Sequence, residues 1–432
     1  MLHDNIGIGE NGRLTFAGQD TVALCEQYET PLMLLDENRV RGNMSVYVNG
    51  MKKHFTADSH PLLASKALCF KGIYKIAAEE GMYTDIVSTG ELYVAKSAGF
   101  PMKNAFFHGS NKSDAAISMA MDMGLGWFIV DNREELDEIN RQAGERGIVQ
   151  NILMRLSPGI DPHTHAKIST GKVDSKFGTA IETGQAEELI AYALSLPNVA
   201  LHGFHCHIGS QIFEIEPFCD AADIMLAFMA HIQKTYSVKL KYLNLGGGFG
   251  VRYVEDDPVI DYEKNIAEIA SHLRAKSEEC GIEMPDILME PGRSIVADAG
   301  MTLYTVGSVK TITGYKSYVS IDGGMTDNPR YALYGSKYTV LNADHAGSAA
   351  DFVCTIAGCC CESGDLIQED IAIAKPVRGE HIAVCVTGAY NYAMSSNYNK
   401  VPRPPIVMLK DGQSRIAVRR ETFADLIAYD AD

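Results

Sequence analysis

Several things are scarce in this chain of 432 residues. Cysteine occurs ten times, too thinly for a disulfide scaffold, and three of the ten are adjacent, at Cys359, Cys360 and Cys361. Adjacent cysteines suit disulfide pairing poorly, so the pattern predicts free thiols in a reducing cytoplasm. Positive charge is also short: 38 Lys and Arg against 55 Asp and Glu give a formal charge of −17. Such a field repels phosphate backbones, and no nucleic-acid partner is expected. No apolar run reaches the ~18 residues of a membrane span. The first residues, Met1-Leu2-His3-Asp4-Asn5, lack a basic segment followed by an apolar one, so no secretory signal is expected. Nucleotide fingerprints are missing too: no Gly-Lys-Ser/Thr follows the glycine run at 246–248, and the Gly-x-Gly-x-x-Gly spacing does not occur there.

What remains is ordinary globular composition, 46% hydrophobic and 22% charged. Eight short apolar runs alternate with helical patterns: Leu62–Ser65, Tyr83–Ser88, Ala105–His108, Trp127–Asp131, Ile152–Leu156, Leu201–His207, Tyr242–Leu245 and Ile287–Glu290. Between them apolar residues recur at three- and four-residue spacing, as in Ile73, Ile76, Ala77 or Ile224, Phe228, Ile232. Parallel strands need such crossovers. Eight units of this size predict a closed (β/α)₈ barrel, with an open doubly wound sheet as the alternative. After residue 300 the texture changes to β-branched and aromatic runs separated by turns, which predicts a mainly antiparallel β domain. The expected division is a barrel over 36–300 and a β domain of 1–35 plus 301–432. The run Leu32–Leu35 fits either the barrel or the second sheet.

Functional groups of a barrel gather at the C-terminal ends of its strands. Four clusters fall there: Lys66 in Ala64-Ser65-Lys66-Ala67, His207-Ile208-Gly209-Ser210, Gly246-Gly247-Gly248, and Glu290-Pro291-Gly292-Arg293. Each alone is weak, since a glycine run is most often a tight turn and a lone histidine is most often structural. Together they fit one cofactor. A lysine following an apolar run is expected to be partly buried, which suits it to imine formation. Glycine N–H groups and Ser210 can cradle a phosphate. A carboxylate can keep a pyridine nitrogen protonated, and an imidazole can lie against the ring. These are the needs of pyridoxal 5′-phosphate.

The same stretches resemble the fold-type III pyridoxal-phosphate-dependent decarboxylases, and among them the diaminopimelate decarboxylase family. The likeness continues through Asp85-Ile86-Val87-Ser88-Thr89-Gly90-Glu91-Leu92, Ile168-Ser169-Thr170-Gly171 with Asp174-Ser175-Lys176-Phe177-Gly178, and His205-Cys206-His207. In the β domain it runs through Asp322-Gly323-Gly324-Met325, Arg330 to Tyr334, Cys361-Glu362-Ser363-Gly364-Asp365, Gly388-Ala389-Tyr390 and Ser396-Asn397-Tyr398-Asn399. The resemblance implies an alanine-racemase-like barrel with a β domain, a head-to-tail homodimer, and decarboxylation of meso-2,6-diaminopimelate to L-lysine and CO₂, the last step of lysine biosynthesis. It implies Lys66 as the Schiff-base lysine and His207 stacked on the ring. Ser210, Gly246, Gly247, Gly248, Glu290, Gly292 and Arg293 would hold phosphate and pyridine nitrogen. Arg293, Arg330 and Tyr334 would bind substrate carboxylates, Glu362 the distal ammonium, and Tyr390 would sit beside cofactor and substrate. Cys361 of the partner subunit would donate the proton; an ordinary thiol pKa of ~8.5 suits it to the task.

One departure stands out. The usual Arg-Pro pair reads Asn328-Pro329-Arg330-Tyr331 here, which predicts an altered backbone around Arg330. No metal is expected, because three adjacent cysteine side chains do not easily converge on one tetrahedral ion. The alternatives are a related decarboxylase acting on ornithine, arginine or carboxynorspermidine, and a non-catalytic binding protein on the same fold.

Overall fold

The computed structural model describes residues 1–160 and 176–431. Ile168–Gly171 and Asp174–Ser175 lie outside the described residues. All eight expected barrel strands form: β1 (His60–Ala64), β2 (Tyr83–Ile86), β3 (Ala105–Phe107), β4 (Trp127–Val130), β5 (Gln150–Ser157), β6 (Val199–His205), β7 (Tyr242–Asn244) and β8 (Asp286–Met289). Each pairs in parallel with the next, and β8 returns to β1 through Leu288 opposite His60. The barrel is closed, so the open-sheet alternative falls.

Four of the helices between strands start on side-chain caps. Ser88, Ser113, Asn132 and Asp261 each accept the backbone N–H three residues on, satisfying a donor the helix cannot pair internally. In the Glu216–Tyr236 helix the buried stripe is Ala221, Ala222, Met225, Leu226, Met229 and Ile232. Of the expected Ile224, Phe228 and Ile232, only the last is fully buried.

Leu62, Phe106, Ile129, Leu153 and Leu288 form one buried cluster, packed beneath Tyr83, Trp127 and Tyr242. Those three aromatics are the first residues of β2, β4 and β7, so the N-terminal mouth is plugged. Trp127 stacks on Phe106 at 5.3 Å and meets Tyr242 edge-on at 5.3 Å. Chemistry is left to the opposite rim.

Contact grouping divides the chain into a barrel unit, 43–250 with 260–292, and a sheet unit, 1–42 with 251–259 and 293–432. Residues 36–42, 251–259 and 293–300 therefore group with the sheet. In the sheet unit the strand Leu32–Asp36 is buried throughout. It lies between Gly300–Ile312, antiparallel, and Ile406–Lys410, parallel. The Leu32–Leu35 run thus joins the second sheet. The long Gly300–Ile312 strand pairs with His381–Cys385 along its buried first half and with Lys316–Ile321 along its exposed second half. The pairings are mostly antiparallel; Tyr318–Ser320 with Thr355–Ala357 adds a second parallel one. Among the described residues no helix is long and apolar enough to cross a membrane.

Candidate active site

Side chains two apart on a strand share a face. Counting two residues on from the barrel's apolar layer therefore reads its next layer. Leu62 leads to Ala64, Tyr83 to Asp85, Phe106 to His108, Ile129 to Asp131, Leu153 to Arg155, Tyr242 to Asn244 and Leu288 to Glu290. All seven are buried, and His205, which ends β6, is buried with them. Apart from Ala64, an apolar core thus gives way in one step to polar residues toward the C-terminal rim.

Glu290 is the focus of that layer. Asn244 Nδ2 donates to its Oε1 at 2.8 Å. His108 Nε2 lies 3.0 Å from the same oxygen, and His205 Nε2 lies 3.4 Å from Oε2. Burial works against the charge, yet the two imidazoles hold the carboxyl well below the usual carboxylate range. Asp85 supports the turn that carries Lys66. Its Oδ1 accepts the Ser65 N–H at 2.9 Å, while Ser65 Oγ donates to the Asp85 carbonyl and to Glu91. Burial pushes the Asp85 carboxyl up, and the Lys66 charge opposes it. Asp85 Oδ2 is buried and unpartnered.

Lys66 itself is exposed, on a short 3₁₀ turn over Ser65–Ala67. The expected partial burial is corrected: the strand has ended, and Lys66 stands exposed on the turn that follows it. Its charge acts on Asp85, Glu91 and His207. His207 lies two residues beyond the end of β6, half-buried. Burial, with Lys66 next, keeps its imidazole well below the ordinary histidine range and so neutral.

The glycine loop is demanded by its own surroundings. A Cβ on Gly247 would stand 2.2 Å from the Glu290 carbonyl oxygen, and one on Gly246 2.7 Å from that of Cys206. The loop is zipped to the Ser210 turn: Ile212 N–H donates to the Gly248 carbonyl and Gly250 N–H to that of Ile212. Gly292 faces Ala64, beside the Lys66 turn, where a Cβ would come within 2.7 Å of the alanine's own. Lys66, His207, Ser210, Gly246–Gly248, Glu290 and Gly292 thus share the C-terminal end of the barrel unit.

The other expected residues belong to the sheet unit. Arg293 and Arg330 are both buried and share Tyr253. Arg293 Nη1 donates to the Tyr253 hydroxyl at 2.8 Å, and the Arg330 guanidinium lies 4.9 Å from that ring's centre. Burial alone would push the phenol up; the two guanidiniums reverse the effect and hold it below its ordinary value. Arg330 Nη1 also donates to Tyr338, and Arg293 lies 4.8 Å from the centre of the Tyr390 ring. The Tyr331 departure leaves this intact. Pro329 caps the short Arg330–Tyr334 helix, and the Tyr331 hydroxyl turns to Glu369 at 2.6 Å. Tyr334 ends that helix half-buried. Cys361 and Glu362 are exposed in a loop tied down by buried Asp365, which accepts the Met325 and Cys360 N–H groups. Cys361 N–H donates to Asn399 Oδ1.

Sequence reasoning did not single out His108, Asn244 or Tyr253. The first two are legible as positions two beyond inward-facing Phe106 and Tyr242. Tyr253 lies in an aperiodic stretch with no such signal.

Residues 42–297 match the model of the pyridoxal-dependent decarboxylase, pyridoxal binding domain. The chain belongs to the pyridoxal-dependent decarboxylase family. It is 40% identical to the diaminopimelate decarboxylase of Bacillus subtilis over 100% of this chain and 98% of that one. Among solved structures, diaminopimelate decarboxylase from M. jannaschii in complex with L-lysine is similar at a TM-score of 0.92 and 34% identity, covering 99% of this chain and 98% of that one. The Helicobacter pylori enzyme complexed with L-lysine matches at 0.86 and 29%, covering 94% and 98%. Family membership implies pyridoxal 5′-phosphate, and the barrel rim fits it: a buried anionic carboxylate, an orphaned Asp85 oxygen, an exposed lysine and a close-packed glycine loop.

Proposed function

We propose that this protein decarboxylates meso-2,6-diaminopimelate to L-lysine and CO₂ with pyridoxal 5′-phosphate. The observation that carries the reading is the full-length 40% identity to a diaminopimelate decarboxylase, in a chain that has a lysine, a glycine loop and a carboxylate at its strand ends. Bound pyridoxal phosphate supplies an aldehyde for an amine and a protonated ring that accepts the electrons left as CO₂ departs.

The chain's own residues do the rest. Lys66 would hold the cofactor through its amine. N–H groups of Gly246–Gly248, the Ser210 turn and the Gly292–Arg293 turn bind phosphate. His207, neutral, would lie against the ring, and Glu290 would keep its nitrogen protonated. The substrate's far end is a zwitterion, so recognition needs a cation and an anion together. Arg293, Arg330 and Tyr334 take carboxylates, the arginines with their two-pronged donors. Glu362 takes the distal ammonium, and Tyr390 packs beside the reacting atoms. We infer a head-to-tail homodimer in which Cys361 of the partner subunit donates the proton that replaces CO₂. A cytoplasmic setting fits, because all ten cysteines are free and Cys361 must stay a thiol.

The test is an assay of the purified protein with pyridoxal phosphate and meso-diaminopimelate, run beside ornithine and arginine. Equimolar lysine and CO₂ are expected. Absence of both above background, or a higher kcat/KM for a diamine precursor, overturns the proposal.

A further inference from the structure

A carboxylate as buried as Glu290, 5% exposed, takes up a proton unless its neighbours oppose it. Three neighbours from three strands meet it. Asn244 follows from β7, His108 from β3 and His205 from β6, and they reach both carboxylate oxygens. The two imidazoles also meet edge to face, ring centres 4.9 Å apart.

We propose that His108, His205 and Asn244 are positioning residues that hold Glu290 ionised and aimed, so that it keeps the ring nitrogen of bound pyridoxal phosphate protonated. The proposal rests on the reading of Glu290 as the partner of that nitrogen.

Proton counting supports it. Burial pulls the His205 imidazole down to about 4, so near neutral pH it carries one ring proton. Its Nδ1 has no partner, whereas Nε2 faces Glu290, so the proton sits on Nε2 and is donated. Asn244 donates an amide N–H to Oε1, and His108 Nε2 lies 3.0 Å from the same oxygen without hydrogen-bond geometry, an electrostatic neighbour of the carboxylate. Oε1 thus has two neighbours and Oε2 one long one. Each carboxylate oxygen has two lone pairs, which leaves Oε2 room for a further N–H. All three neighbours favour the anion, so a proton shared with a ring nitrogen rests on the ring. A cationic ring takes up the electrons of the broken C–C bond more readily than a neutral one. His108, His205 and Glu290 offer ligand atoms within 4.8 Å of one another, a spacing that also admits a metal ion. The amide donor on the same carboxylate favours hydrogen bonding, and metal content is an arm of the test.

The experiment reconstitutes the full chain with pyridoxal phosphate labelled with ¹⁵N in the ring. It reads the nitrogen's chemical shift together with kcat and KM. The wild type is expected to show a protonated nitrogen and Glu290→Gln a bare one. The double variant His108→Ala/His205→Ala is expected to move toward the bare signal. Its kcat should fall about 10- to 100-fold, the size usual when groups that orient a ligand from behind are lost. KM should stay within about twofold, because substrate contacts are untouched. His205→Gln, which keeps a donor, should recover the protonated signal. If circular dichroism shows the double variant unfolded, His205→Phe is read by the same criteria. A fully protonated nitrogen and wild-type kcat in the histidine variants, with Glu290→Gln bare, overturns this inference alone. A protonated nitrogen in Glu290→Gln overturns the reading of Glu290 itself. One transition-metal ion per chain, lost in the double variant, overturns the proposal in favour of a metal centre.

Discussion

The barrel rim and the arginine cluster of the sheet unit solve different problems with different materials. On the barrel, the polar groups hang from strand ends and are fixed by backbone periodicity. Glu290, His108, His205 and Asn244 occupy one buried layer and contact one another. In the sheet unit the groups come from loops and short turns. Arg293 and Arg330 are held by the ring and hydroxyl of Tyr253 and by Tyr338, while Cys361 and Glu362 stand exposed. The difference teaches a division of labour. On the proposed roles, strand-borne groups would set the electronics of the cofactor. Loop-borne groups would set which substrate is taken, and loops vary without disturbing a barrel.

That division can be broken or sharpened by substitution. The largest effect is expected for Lys66→Ala, which should lose the yellow colour of the bound cofactor. It should also lose activity on every substrate by about 10³-fold or more; a yellow, active variant contradicts its assignment. Next comes Glu362→Gln in the sheet unit. Its colour should persist while KM for diaminopimelate rises roughly 10-fold or more, the loss of about 1.5–3 kcal/mol from a charged hydrogen bond. Steady-state kinetics would expose the error if KM did not move. Tyr253→Phe is milder. Removing the 2.8 Å bond to Arg293 should raise KM about 5-fold with kcat unchanged, matching a bond worth ~1 kcal/mol.

The smallest effects are on stability, and they have opposite signs in the two units. Burial raises Glu91 of the barrel from 4.5 to about 7. Its folded form holds the proton more tightly, so this group lowers stability as pH rises from 4.5 to 7. Glu37 of the sheet unit is opposed by burial but held by Lys410, Arg41 and Arg415 at about 2. Its contribution is full above 4.5 and is lost as pH falls toward 2. Urea unfolding across pH should show Glu91→Gln flattening the first slope and Glu37→Gln the second. Each change should be on the order of 1–2 kcal/mol after solvent screening. Unchanged slopes contradict the assigned environments.

Much of the barrel is legible in the sequence because its signal is local. An apolar run followed by a polar residue at the strand end is the signature of Leu288 and Glu290. What escapes is relational. His108 follows Phe106-Phe107 like any strand-end histidine, and only closure of the barrel brings it to Glu290. Tyr253 gains meaning only when Arg293 and Arg330, 40 and 77 residues further along, meet on it. Lys66 misleads in the other direction: an apolar run predicts burial for the residue after it, but the strand has ended and Lys66 stands exposed on the 3₁₀ turn over Ser65–Ala67.

The central claim is that the sheet unit chooses the substrate and the barrel does not. The most direct test measures the ratio of kcat/KM for meso-diaminopimelate over D-lysine, which keeps the carboxylate that leaves but lacks the distal one, in wild type and in Arg330→Ala. The account predicts a ratio that falls about 100-fold, roughly 3 kcal/mol for a paired carboxylate, with the cofactor's colour unchanged. An unchanged ratio, or a colourless Arg330→Ala protein, would contradict it.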